Sequence, residues 1–266
     1  MDIKMFMKRE NEKPLDNIVS NGGFCSIFRT IACIGDSLSS GEFESFENGV
    51  IGYHDFYEYS WGQFLARDVG CNVFNFSRGG MTAKHYDDFA REKEYYNDEY
   101  KSQAYIIALG VNDVTQIIKG EIEFGSIDDI DIKDYAKNKP TFAGYYAKII
   151  SKYLQKQPKA KFFLMTLPTG LEDGERKELY DKHRELLYKI SDLFENCYVL
   201  DLRQYAPVYD EEFRKNFFMG HMNPAGYRLT ALMIESYIDY IIRNSPEDFA
   251  QVGFIGTVYH NSEAKW

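Results

Sequence analysis

Five short, almost unbroken apolar runs constrain this 266-residue chain more than any other feature: FRTIACIG (28–35), NVFNF (72–76), AYIIALG (104–110), KFFLMTLP (161–168) and CYVLDL (197–202). Strands that are apolar at nearly every position, rather than every second one, belong to sheets covered on both faces, which are typically parallel. The segments between them supply the covering helices. After Pro140, Phe142, Tyr145, Tyr146, Ile149, Ile150, Tyr153 and Leu154 recur with helical spacing and make one apolar stripe; Met233, Ile234, Tyr237, Ile238 and Ile241 do the same near the C-terminus. Asn223 and Pro224 mark the start of that last helix as N-cap and first helical residue. Segments 60–69, 81–99 and 173–194 are further helix candidates. Strands alternating with helices predict an α/β fold: a five-stranded parallel sheet with helices on both faces.

The length suits a single domain, and no repeat or linker divides it. Residues 1–23 are polar and aperiodic and are read as an N-terminal arm, with 24–266 as one domain. The acidic stretch 121–135 is too long for a simple connection and is read as a solvated insertion, with a rim element as the alternative. Asp plus Glu number 41 against 31 Lys plus Arg, a formal net charge of −10. Such a surface repels phosphate backbones and anionic headgroups, so neither nucleic acid nor membrane is an expected partner; the oligomeric state is not encoded. Cys25, Cys33, Cys71 and Cys197 are far apart, with no CxxC and no His at ligand spacing, so no disulfide framework, metal or cofactor is expected. No secretory leader pattern or bilayer-length apolar run is found, which points to a cytoplasmic setting.

In sheets of this kind ligands bind beyond the carboxyl ends of the strands. Ser37, in IGDSLSSGE, follows the first run; Asn75, Gly79 and Gly80 close the second; Gly110, Asn112 and Asp113 close the third; His221, in GHMNPAGY, stands just ahead of the last helix. Each has an ordinary explanation taken singly: a turn serine, glycines serving the backbone, an Asx turn, a surface His. Together they form a chemical set. A serine hydroxyl attacks a carbonyl only when a base takes its proton, and His221 is the candidate base. The oxyanion then needs fixed donors, for which the N–H groups of Ser37 and Gly80 and the side-chain amide of Asn112 are candidates.

These blocks, GDSLSSGE with Ser37, NFSRGGMT with Gly80, GVND with Asn112 and GHMNPAGY with His221, resemble the SGNH/GDSL hydrolase family in content and order, from residue 34 to 227. The resemblance implies a flavodoxin-like three-layer α/β/α sandwich. It also implies metal-free ester hydrolysis through an acyl-enzyme on Ser37, with His221 as base and Gly80 and Asn112 as oxyanion donors. One position departs. The family carries an Asp three residues before its His, and here that residue is Phe218. The Nδ1 proton of His221 then goes to a backbone carbonyl near residue 218, to a carboxylate from elsewhere in the chain, or to nothing, ranked in that order. Asp201, after the fifth strand, is the candidate distal carboxylate; Asp36 and Asp113 are read as turn braces.

His54 and Trp61, in the aromatic cluster after the first block, and Arg78, beside the second, are candidate substrate-rim residues; surface and core packing or an exposed ion pair are the plainer readings. His85 and His183 are expected to be solvated. GxSxG, P-loop, GxGxxG and HExxH motifs are absent. The expected activity is hydrolysis of small-molecule or carbohydrate esters with short acyl groups, acetyl esters of sugars being the first guess. Lysophospholipase, thioesterase or acyltransferase activity on the same residues, and a catalytically weak carbohydrate-binding protein, are the alternatives.

Overall fold

The computed structural model describes residues 3–7 and 9–266; residues 1, 2 and 8 of the expected N-terminal arm lie outside the described set. In chain order the elements are β1 (Thr30–Gly35), α1 (Ser37–Ser40), β2 (Glu42–Glu47), β3 (Val50–Asp55), α2 (Trp61–Val69), β4 (Asn72–Asn75), α3 (Ala83–Glu92), β5 (Ala104–Ala108) and α4 (Val111–Ile118). They continue with α5 (Phe142–Lys156), β6 (Lys161–Met165), α6 (Gly174–Leu193), β7 (Cys197–Leu200), α7 (Leu202–Tyr205), α8 (Glu211–Phe217), β8 (Phe218–Met219), β9 (His221–Met222) and α9 (Pro224–Asn244).

The five apolar runs form one parallel sheet in the order β4-β1-β5-β6-β7. Alternate residues feed two cores. Ile31, Cys33, Ala104, Ile106 and Phe163 join the core under α2 and α9, whereas Ala32, Ile34, Tyr105, Ile107 and Phe162 join the core under α3, α5 and α6. That two-sided burial is why the runs carry no polar alternation. The chain leaves β1 for β4 on one side and then for β5 on the other. The strand order thus reverses at β1/β5, where such sheets open a crevice beyond their carboxyl ends.

α9 begins as the sequence predicts, with Asn223 accepting the Gly226 N–H (3.0 Å) and Pro224 in the first turn. Three elements differ from expectation. The 81–99 helix stops at Glu92, followed by turns and a short 3-10 segment at Asp98–Tyr100. α4 leaves directly from Gly110 at φ 145° with no side-chain cap, so it lacks the usual start signal. Finally, residues 42–55 form an antiparallel hairpin, β2–β3, outside the main sheet. Its two-residue loop, Asn48 (φ 53°) and Gly49 (φ 80°), has both residues left-handed, the form that matches strand twist in a tight hairpin.

The arm and the acidic segment are anchored. Glu12 pairs with Arg243 of α9 at 2.7 Å, which holds the Glu12 carboxyl down at about 2, and the Val19 N–H donates to Ser236. Phe124, Ile127 and Ile130 pack on the core, so 121–135 is more than a solvated insertion. Among the described residues no helix is long and apolar enough to cross a membrane, no His, Cys, Asp or Glu cluster suits a metal, and all four cysteines are free thiols.

Candidate active site

Ser37 is the first residue of α1, set by a turn immediately after β1. The Asp36 side chain accepts the Leu38 N–H at 3.1 Å, and its carbonyl accepts from Ser39 and Ser40 at 3.0 and 2.9 Å. Gly41 then ends α1 at φ 82°, where a Cβ would meet the Phe56 carbonyl at 2.7 Å, and the chain turns straight into β2. Burial pushes the Asp36 carboxyl up to about 7. Ser37 is half-buried, and its hydroxyl makes no hydrogen bond among the described residues.

The other blocks are tied to this turn. The Arg78 N–H donates to the Gly35 carbonyl at 3.3 Å, which lays the 78–81 loop across the end of β1. Gly80 sits there, exposed, at φ 70°. The amide of Asn112 donates to the Met81 carbonyl at 3.2 Å and, more weakly, to Asp36 Oδ2 at 3.4 Å. Asp113 is fully buried and accepts the Ala83 N–H at 2.9 Å, bracing the start of α3; burial and the nearby Asp36 push its carboxyl up to about 7. Strand β9, which carries His221, packs against both α1 and β2. Tyr227, one turn into α9, donates its hydroxyl to the Glu42 carbonyl at 2.6 Å and reaches the Ser37 carbonyl at 3.5 Å. Ser37, Gly80, Asn112 and His221 thus gather at the β1/β5 crevice from four separate connections.

The partners of His221 come from the hairpin. Its Nδ1 lies 2.6 Å from Glu44 Oε1, and its Nε2 lies 3.2 Å from Glu42 Oε1. Glu42 and Glu44 are two residues apart on one strand, so both side chains point to the same face. The Tyr53 ring, opposite Glu44 in register, stands edge-on to the imidazole at 6.1 Å. Burial raises the Glu42 carboxyl above its ordinary range, with Asp55 and Glu44 adding to the rise.

Several expectations are corrected here. No backbone carbonyl near 218 takes the Nδ1 proton. Phe218 instead joins an aromatic cluster with Tyr209 and Phe213, under the Arg214 guanidinium. Asp201 is not on His221 either: it is fully buried and holds Arg184 (2.6 Å), Tyr188 (2.9 Å) and Thr166 (3.2 Å). Trp61 is a core residue, 1% exposed, whose side chain also lines the cavity beside Asp36 and Leu38. His54 is exposed but bonds Ser45 (2.8 Å) and, being in register with Phe43, shares the hairpin face opposite Glu42 and Glu44. Arg78 is exposed, with its guanidinium over Phe89 at 4.7 Å. His85 is exposed as expected, but His183 is fully buried. Its Nε2 contacts the Leu109 carbonyl at 3.1 Å directly under Gly110, and burial pushes its pKa down to about 4. Its spacing from Leu179, Leu186 and Ile190 already placed it on the buried stripe of α6.

Glu44 is the residue missed. The one local signal was Asn48-Gly49 between FESFE and VIGYH, which marks a hairpin but not what that hairpin touches.

A five-stranded parallel sheet between helical layers, with these blocks at its carboxyl edge, defines a hydrolase of the GDSL/SGNH fold. The sequence profile of the GDSL-like Lipase/Acylhydrolase family matches residues 33–229, and the chain belongs to that family. Among solved structures it is similar to a family two carbohydrate esterase from Clostridium thermocellum in complex with cellohexaose: TM-score 0.57, 17% identity, covering 80% of this chain and 64% of that one. It is also similar to the acetyl xylan esterase AlAXEase (TM-score 0.52, 18% identity, 79% and 99% covered). A third is LAE5, an enzyme from the metagenome of Lake Arreo, Spain (TM-score 0.51, 15% identity, 80% and 96% covered). At such identities the fold is what is shared. No curated protein sequence matches the chain.

Proposed function

We propose that the chain is a serine esterase in which Ser37 forms an acyl-enzyme and His221 is the general base. The observation that carries this reading is the meeting of four blocks, remote in sequence, around the Ser37 turn. In the first half-reaction the Ser37 hydroxyl proton passes to His221 Nε2 as Oγ bonds to the carbonyl carbon. The carbonyl electron pair moves onto oxygen, facing the N–H groups of Ser37 and Gly80 and the amide of Asn112. Collapse breaks the C–O bond to the alcohol, which leaves with the proton from Nε2. Water repeats the sequence and releases the acid.

For the substrate, short acyl esters of carbohydrates remain the first reading. Glu42, Glu44 and Asp55 near His221 disfavour anionic alcohols and suit neutral hydroxylated ones, and carbohydrate esterases share the fold. A second reading is favoured by a cavity of about 330 Å³ beside the site. Leu38, Val111 and Met222, the immediate neighbours of Ser37, Asn112 and His221, line it together with Met165, Leu167 and Phe218. A space that size is in the range of small-molecule sites and exceeds what an acetyl group fills. Hydrolysis of p-nitrophenyl esters from acetyl to octanoyl, and of acetylated xylo-oligosaccharides, tests both readings. Loss of about 10⁴-fold or more in kcat/KM for Ser37→Ala is expected; unchanged hydrolysis in that variant would remove the assignment. A maximum at acetyl supports the first substrate reading, and a maximum at a longer chain supports the second.

A further inference from the structure

We propose that Glu44 is the positioning acid of His221, delivered by the β2–β3 hairpin in place of the carboxylate that the family carries three residues before its His. This rests on the Ser37–His221 reading and adds a residue to it.

A neutral imidazole donates from one nitrogen and accepts at the other. As the general base for Ser37, His221 must accept at Nε2, so its proton must be on Nδ1, and the tautomer is set by whatever Nδ1 bonds. Glu44 Oε1 is there at 2.6 Å, a charge-assisted distance, on a side chain 24% exposed against an imidazole 20% exposed. Glu42 cannot fill that role. It lies on Nε2, the nitrogen that has to receive the serine proton.

The backbone around the pair is shaped for it. Gly220, which links β8 to β9, has φ 75°, and a Cβ on it would collide with the Glu44 carboxylate. The residue before His221 therefore leaves room for an acid arriving from outside its own loop. The hairpin is fixed rather than free at this point. Phe43, between the two glutamates, turns to the opposite face and packs against Phe56, Tyr59 and Tyr227 at 5.6 to 5.8 Å between ring centroids. Tyr227 also holds the Glu42 carbonyl. Phe218, at the family's acid position, is taken up by the aromatic cluster, so the two changes are complementary: an apolar residue where the acid stands in the family, and a new acid 177 residues away in sequence.

The test uses the full chain and p-nitrophenyl acetate. Glu44→Gln is expected to lower kcat by about 10²-fold, less than the ~10⁴-fold seen when a fully buried orienting acid is neutralised, with KM within about 2-fold, since the effect falls on the imidazolium formed in the transition state. Phe218→Asp in the Glu44→Gln background restores the acid from the other side and is expected to recover kcat by about 10-fold or more. A structural role for Glu44 would give no such rescue. Independently of turnover, the downfield proton NMR resonance of the His221 Nδ1–H is expected in the wild-type chain, and to be lost in Glu44→Gln. If Glu44→Gln fails to fold, Glu44→Asp, which shortens the reach, is expected to keep the fold and lose kcat. Glu44→Gln with unchanged kcat and unchanged resonance, while Ser37→Ala is inactive, overturns this proposal alone. If Ser37→Ala stays active, the esterase reading falls with it.

Discussion

The sheet edge and the hairpin meet at one imidazole but are built differently. Ser37, Asn112 and the 78–81 loop stand on strands buried on both faces, and their turns are fixed by backbone hydrogen bonds and buried carboxylates. The hairpin projects Phe46, Val50, Ile51 and Tyr53 into solvent and is pinned through Phe43 and Tyr227 near its base. The sheet edge holds Ser37, Gly80 and Asn112, and the hairpin brings Glu42 and Glu44 to His221. Damage to the scaffold should therefore lower stability, and damage to the hairpin should lower turnover.

The largest stability effect expected is on the scaffold side. Asp201→Ala leaves Arg184, Tyr188 and Thr166 without their common acceptor, and should cost about 3 kcal/mol in denaturant unfolding, as for other broken buried pairs. Its kcat per folded molecule should hold; a fall of the kind expected for Glu44→Gln would return Asp201 to the site. Phe43→Ala comes next. The ring is half-buried, so about 2 kcal/mol is expected, below the roughly 3–5 kcal/mol of a fully enclosed Phe. It should also lower kcat, because the strand that carries Glu44 loses its anchor. Unfolding by urea alongside steady-state rates would separate the two effects, and an unchanged kcat would show that the hairpin is held by other contacts.

The smallest effect is a pH dependence within α9. Glu235 in α9 is buried, with the Arg228 guanidinium 3.9 Å from one carboxyl oxygen, and burial, with the nearby Asp68 adding to it, pushes its pKa from 4.5 up to about 8. Between those values the folded chain keeps a proton that the unfolded chain releases. Its contribution to stability is therefore present at low pH and falls as pH rises through about 8. Glu235→Gln should melt above the wild type at pH 9, with the gap closing toward pH 5. A gap independent of pH would contradict this.

The contrast also explains what could be read in advance. The sheet was legible because two-sided burial demands apolar residues at consecutive positions. The sequence blocks at the strand ends were legible because such turns demand particular small and polar residues. The carboxylate on His221 was not. Glu44 is one of 41 acidic residues, it lies on a strand with charges and aromatics mixed on both faces, and its bond to His221 exists only after the hairpin folds back over α1. The Asn-Gly turn announced the hairpin but not what it would touch. Asp201 was a reasonable strand-end carboxylate that the fold uses for Arg184 instead. The buried His183 shows the converse: its helical spacing was informative, and its charged neighbours were not.

The central claim is that Ser37 carries the acyl group between the two half-reactions. Rapid quenching of the chain with p-nitrophenyl butyrate, followed by peptide mass analysis, tests it directly. A mass increase of one butyryl group on the peptide containing Ser37, formed in step with a burst of p-nitrophenol and lost in Ser37→Ala, is the predicted result. Turnover with no acyl group on that peptide, or with the group on another residue, would contradict it.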